Sequence, residues 1–296
     1  MALINGKVDA TKDSYPYVTG MGFRNRAHAI YDEFHQDDPS TIMFDGQVVF
    51  VKSDYIGPFF TQVMPKIYRS IRIITHNSAI GIGSEYKEFL SDPRIISWHA
   101  QNANFSHPKL FSVPLGLANQ RWVHGDLDVV EEVSREDIDR TNLVYMNFDL
   151  GTNRERRTAV HDMFHDKDYV LETPSKSFAD YLRDLRSSKY VLSPPGRGVD
   201  CHRVWESILM GAIPIVERSH NMSFYEDMPI VLVDDWDTIT KEWLEDNYDK
   251  YSSTDFEDVT QLDYWVEKLD LLPEARLVPA GVVVPPGCKL AAGDAK

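Results

Sequence analysis

Cysteine is scarce in this chain. Of 296 residues only Cys201 and Cys288 carry a thiol, too few for a disulfide framework or a zinc site, and the pattern suits a reducing compartment. Positive charge is also short: 31 Lys and Arg stand against 46 Asp and Glu, a net charge of −15 with a pI near 5.0. That field repels nucleic acid and anionic membrane, while a local basic pocket remains allowed. No run approaches the roughly 18 apolar residues of a membrane span, and the opening residues lack a charged stretch followed by an apolar one. The expectations are therefore no membrane span and a cytoplasmic protein. Nor does a Gly-x-Gly-x-x-Gly follow the first strand-like run, and there is no repeat of solenoid period.

Core material is plentiful. Hydrophobic residues make up 43% of the chain, with 14 Phe, 14 Tyr and 6 Trp, and the length accommodates two domains of about 130 residues each. A short helix is expected from about Arg24 to Phe34. Gln47–Val51, Ile71–Thr75, Ile95–Trp98 and Phe111–Leu117 are short apolar runs closed by polar residues, the pattern of four strands in an open parallel sheet. An acidic, helix-patterned stretch from Asp126 to Arg140 follows. Leu143–Phe148, Tyr169–Thr173, Tyr190–Leu192, Ile213–Val216 and Ile230–Val233 then read as strands of a second sheet, with helices at Phe178–Arg186 and from Thr238 to Leu272. The reading is an α/β chain with two Rossmann-like parallel-sheet domains, residues 1–139 and 140–272, and a tail over 273–296.

The densest signal is Ser188 to Val216. Strand, loop, helix, glycine stop and strand follow without interruption, with Pro194-Pro195 closing the first strand and Gly196-Arg197-Gly198 free to take positive φ. Asp200 is placed to cap the helix and Gly211 to end it in the left-handed region. At 100° per residue Val204, Trp205, Ile208 and Leu209 fall on one side, and Arg203 and Glu206 share an outward stripe. Two readings of that stripe compete. One is a solvated Arg–Glu contact; the other is a nucleotide site, with a phosphate at the helix N-terminus, Arg203 beside it and the Glu206 carboxylate accepting ribose hydroxyls. Upstream, Thr152 and Glu155 have the form of a capping box, and Arg154, Arg156 and Arg157 crowd the start of that helix: a basic solvated face or a diphosphate contact.

In parallel sheets, ligands gather at the carboxyl ends of strands. Asp54 and His76 stand at two such ends in the first half, and Asp54 serves equally well as a cap or turn residue. Asp235-Trp236-Asp237 has the form of a metal-binding DxD, but also of a helix cap.

Ser193-Pro-Pro-Gly-Arg-Gly198, Arg203, Trp205-Glu206 and Gly211-Ala-Ile-Pro-Ile-Val216 resemble the donor-nucleotide motif of exostosin-like glycosyltransferases. Lys52-Ser-Asp54, Thr75-His-Asn-Ser78, Trp98-His-Ala-Gln-Asn102 and Pro114-Leu-Gly116 resemble blocks of the soluble bacterial and viral relatives. The resemblance implies a GT-B-like fold, a C-terminal half that holds a sugar nucleotide, and inverting transfer to a glycan or glycoprotein acceptor. It favours a UDP-linked sugar, with xylose or a related pentose as the guess, and no required metal. It lands donor binding on Asn147, Thr152, Asn153, Arg157, Ser193, Gly196, Arg197, Gly198, Arg203 and Glu206. A base is then needed from across the cleft, Asp54 or His76. An NAD-dependent oxidoreductase or epimerase, and a non-catalytic carbohydrate-binding protein, are the competing classes. Oligomeric state is left open.

Overall fold

The computed structural model describes residues 11–253 and 258–271, and the backbone of a small antiparallel ribbon, Leu3–Ile4 with Lys7–Val8. The expected tail over 273–296 lies outside the described residues.

Two five-stranded, wholly parallel sheets form the frame. The first contains β1 (Ala29–Tyr31), β2 (Gln47–Lys52), β3 (Ile71–His76), β4 (Ile95–Ala100) and β5 (Leu110–Ser112), side by side in chain order. Residues buried on both faces explain the unbroken apolar runs. Val49, Val51 and Ile73 pack under the short helical turns between Ser53 and Lys66, against Ile56, Phe59 and Met64. Val48, Phe50 and Ile74 point the other way, into a core shared with Phe23, Trp205, Leu262 and Trp265.

The expected helix from Arg24 to Phe34 is corrected. Helix α1 covers Gly20–Arg26, capped by the Thr19 hydroxyl, and Ala29–Tyr31 is a fifth strand on the sheet edge. Two glycines at the helix start hid it, because glycine weakens an isolated helix. Both are there for close packing: a Cβ on Gly22 would meet Leu262, and one on Gly20 would meet His76 and Asn77.

The second sheet has β6 (Asn142–Met146), β7 (Val170–Glu172), β8 (Ser188–Leu192), β9 (Ile213–Glu217) and β10 (Val231–Val233), in the order β10-β9-β8-β6-β7. Chain direction across the sheet reverses between β6 and β8. This is the point at which doubly wound sheets open a crevice for ligands. Around it lie helices α2 (Leu127–Ser134), α3 (Arg154–Phe164), α4 (Phe178–Arg186) and α5 (His202–Leu209). The long helix expected from Thr238 is instead α6 (Lys241–Ser252) and α7 (Leu262–Lys268) with short turns beside them.

The halves are stitched together. The Val18 amide donates to the Thr260 carbonyl at 2.9 Å, the Leu262 amide to Pro16 at 2.8 Å, and Arg72 pairs with Asp270. Helix α7 therefore lies on the first sheet, and Val130 and Val133 of α2 pack with Leu182 and Leu185 on the second. The architecture is two parallel-sheet α/β halves facing a cleft, as expected; the second has the reversal of strand order of a doubly wound sheet, and the first runs in chain order. No helix among the described residues is long and apolar enough to cross a membrane.

Candidate functional site

A cleft of about 970 Å³ opens between the halves, at the carboxyl ends of β3, β6 and β8. It therefore sits on the switch point of the second sheet. From β6 come Asn147, Asp149 and Thr152; from β8, Gly196, Arg197 and Gly198; from α3 and α5, Arg157, Arg203 and Glu206.

Arg157 is buried and its geometry is fixed. Nε donates to the Pro195 carbonyl at 3.0 Å and Nη1 to the Asp149 carbonyl at 2.8 Å. These bonds tie α3 to both strand-end loops. Burial, and then the charge of Arg203, hold its pKa below the ordinary arginine value. Arg203 differs. Its Nε and Nη1 are buried with no hydrogen-bond partner, and its guanidinium carbon lies 5.6 Å from the centroid of Phe148. Unpaired buried guanidinium nitrogens are costly, so an anion is the expected complement. Helix α5 adds to this, since its N-cap residue Cys201 makes no side-chain cap and leaves first-turn N–H groups without a side-chain acceptor.

Glu206 corrects the outward stripe drawn from helical periodicity: the residue is 5% exposed. It faces the cleft rather than bulk water, and Oε2 accepts from the Tyr181 hydroxyl at 2.8 Å. Burial pushes its pKa up to about 7, against the opposing pull of the Tyr181 hydrogen bond and Arg203. Asp200 is likewise not the helix cap. It accepts the Leu115 amide at 2.8 Å and the Trp205 indole N–H at 3.0 Å, bridging the two halves, and burial pushes its pKa up to about 7.

The glycine loop also works differently from expectation. Gly211 takes the left-handed conformation, φ 72°, just past the helix end, as expected, but Gly196 and Gly198 are not among the positive-φ residues. Space is what they supply. A Cβ on Gly196 would stand 2.9 Å from Arg157 Nη2, and one on Gly198 would stand 2.5 Å from Asn102 Nδ2. Nor do Thr152 and Glu155 form a capping box. The helix starts at Arg154 after Asn153, and the Thr152 hydroxyl binds Asp149 instead, at 3.2 Å. Of the three arginines in that turn, Arg154 and Arg156 are exposed, Arg156 pairing with Glu217.

The remaining sequence-read residues divide. Asn147 donates to Thr173 and to the Pro174 carbonyl, fixing the loop after β7. Asn153 holds the Gly196 carbonyl at 3.0 Å from behind, and the buried Ser193 hydroxyl faces Val191; neither lines the cleft. Asp54 stands outside it as well, on the Ser53–Tyr55 turn, 49% exposed and 3.8 Å from Lys52. His76 does line it. Asp235 accepts the Asp237 amide and caps a short turn.

Sequence reasoning missed the rim contributed by the first half: Leu115, Leu117, Asn119, Arg121, Trp122 and His124, together with Tyr181 and His202. The signal available was Leu115-Gly-Leu117 at a strand end, since Gly116 takes φ 68° to turn the chain back toward the cleft.

Several solved structures are similar to the chain at low identity. One is described as a GtfA/B complex, at 8% identity and TM-score 0.37, covering 77% of this chain and 57% of that one. Another is a glycosyltransferase from Rickettsia africae ESF-5, at 8% and 0.36, covering 75% and 74%. A third is the pneumococcal O-GlcNAc transferase GtfA in complex with UDP and GlcNAc, at 9% and 0.32, covering 76% and 51%. The chain thus spans little more than half the length of the first and third. No curated protein matches its sequence. Residues 155–270, the part of the chain that contains Arg157, the glycine loop, Arg203 and Glu206, match the family described as the RXYLT1 C-terminal domain.

Proposed function

We propose that the protein is a glycosyltransferase that takes a sugar from a nucleoside diphosphate, UDP in the first instance, and moves it to a hydroxyl of a glycan or glycoprotein acceptor. The observation that carries this reading is the Arg203 guanidinium, buried and unpartnered at the switch point, with Arg157 alongside and a helix start next to it. A diphosphate supplies the missing acceptors, and the same cations stabilise it as a leaving group. Glu206 is placed to accept ribose hydroxyls, and the Thr173–Pro174 loop held by Asn147 borders the nucleobase. Arginine and helix N–H groups neutralise the phosphate charge, so the reading does not call on a metal ion. Inversion and xylose as the sugar follow the family resemblance.

A thermal-shift panel tests the class. UDP and UDP-sugars should raise the melting temperature by several degrees. A shift with NAD alone would favour the oxidoreductase class, and a shift with free sugars alone the carbohydrate-binding class.

A further inference from the structure

Three histidines line the cleft, His76, His124 and His202, and their ring nitrogens are spent differently. His76 has both engaged. Nε2 donates to the Pro114 carbonyl at 3.0 Å, and Nδ1 accepts the Asn77 amide at 2.7 Å, so no lone pair is left for a substrate proton. His124 sits on an exposed turn, its ring stacked on Trp122 with centroids 6.4 Å apart. No hydrogen bond to a described residue fixes that ring.

His202 is the first residue of α5, and its Nδ1 lies 2.7 Å from the Gly116 carbonyl. A carbonyl only accepts, so in the neutral ring Nδ1 carries the proton and Nε2 keeps its lone pair. The anchor is rigid. Gly116 is held at φ 68°, and a Cβ there would stand 2.1 Å from the Val18 carbonyl oxygen. Nε2 has no partner among the described residues and is not among the buried unpartnered atoms; it is open to the cleft. The backbone of His202 belongs to the donor half, while its ring is fastened to the other half, next door to Arg203. It therefore sits where the two substrates of a transfer would meet.

We propose that His202 is the general base of the transfer, an assignment that rests on the glycosyl-transfer reading above. Nε2 takes the proton of the acceptor hydroxyl as its oxygen bonds to the anomeric carbon. The anomeric carbon–phosphate oxygen bond breaks, its electron pair leaves with the diphosphate, and Arg157 and Arg203 meet the added charge. The proton then passes from Nε2 to water. Burial lowers the His202 pKa to about 4, so the ring is neutral and able to accept at pH 7; a bound diphosphate would raise it toward the working range. The titratable and charged groups facing it are His124 and His76, with Cys201 before it at the N-cap and Arg203 after it on α5.

The test uses UDP binding and UDP release from a panel of UDP-sugars, with water as acceptor where no glycan serves. His202→Ala and His202→Asn should bind UDP within about threefold of the unsubstituted protein and lose on the order of 100-fold or more in UDP release. Added imidazole should restore part of the His202→Ala rate, a readout that a purely structural role would not move. Near-normal release by both variants, or no response to imidazole, overturns the assignment while leaving the donor site standing. Absence of UDP binding and of donor cleavage in the unsubstituted protein removes the donor reading and this assignment with it.

Discussion

Arg157 and Arg203 converge on one aromatic ring, their guanidinium carbons 5.7 and 5.6 Å from the centroid of Phe148. Two like charges have been gathered at a strand end in a protein whose net charge is −15. Arg157 is satisfied by the Pro195 and Asp149 carbonyls, but two nitrogens of Arg203 are buried unpaired. Such an arrangement costs stability in the free protein and is relieved by an anion. Arg203→Ala should therefore leave the fold intact, with an equal or higher melting temperature, while removing thermal stabilisation by UDP. A variant that melts lower and is still stabilised by UDP would argue that Arg203 is structural.

Glu206 predicts a stability effect that changes with pH. Its pKa rises from 4.5 in the unfolded chain to about 7 in the fold, so the folded state favours the protonated form. The penalty is absent below pH 4.5, grows as pH rises, and is complete above about 7. Glu206→Gln should thus be neutral near pH 4.5 and stabilising at pH 8, by at most about 3 kcal/mol, measured by urea unfolding. Stabilisation of equal size at both pH values would contradict the burial account.

Asp200 joins the halves through Leu115 and Trp205. Asp200→Ala leaves an amide and an indole N–H unpaired in the interior and should cost about 2–4 kcal/mol in unfolding free energy. A loss under about 0.5 kcal/mol would show that water or a neighbour replaces the carboxylate.

The two glycine roles separate by substitution. Gly211→Ala places a Cβ at φ 72°, 2.4 Å from Arg140 Nη2, and should lower stability by at least about 1 kcal/mol while leaving UDP affinity unchanged. Gly196→Ala pushes on Arg157 and should do the reverse, weakening UDP binding on the order of tenfold at nearly unchanged stability. If both act on stability alone, the loop is only a connector.

Periodicity made much of the frame legible. Apolar runs bounded by polar residues located nine of the ten strands of the two sheets, because strands buried on both faces have a distinctive composition. β1 escaped because Ala29–Tyr31 lies inside the stretch, Arg24 to Phe34, whose pattern reads as a helix. Gly211 was legible because its role is local, set by the helix that precedes it. Glu206 and Asp200 were not, since their surroundings come from Tyr181 and Leu115, 25 and 85 residues away. Helical spacing marks a side as free of the helix's own core; it does not say what lies across from it. The same limit hid His202, whose anchor, Gly116, is 86 residues distant.

Arg203 and Arg157 are proposed to hold a nucleoside diphosphate at the switch point of the second sheet. Calorimetric titration of UDP into the unsubstituted protein and into Arg203→Ala tests it most directly. Saturable binding is expected in the first and a loss on the order of 100-fold, about 3 kcal/mol, in the second. Equal affinity in the two proteins, or no binding in either, would contradict it.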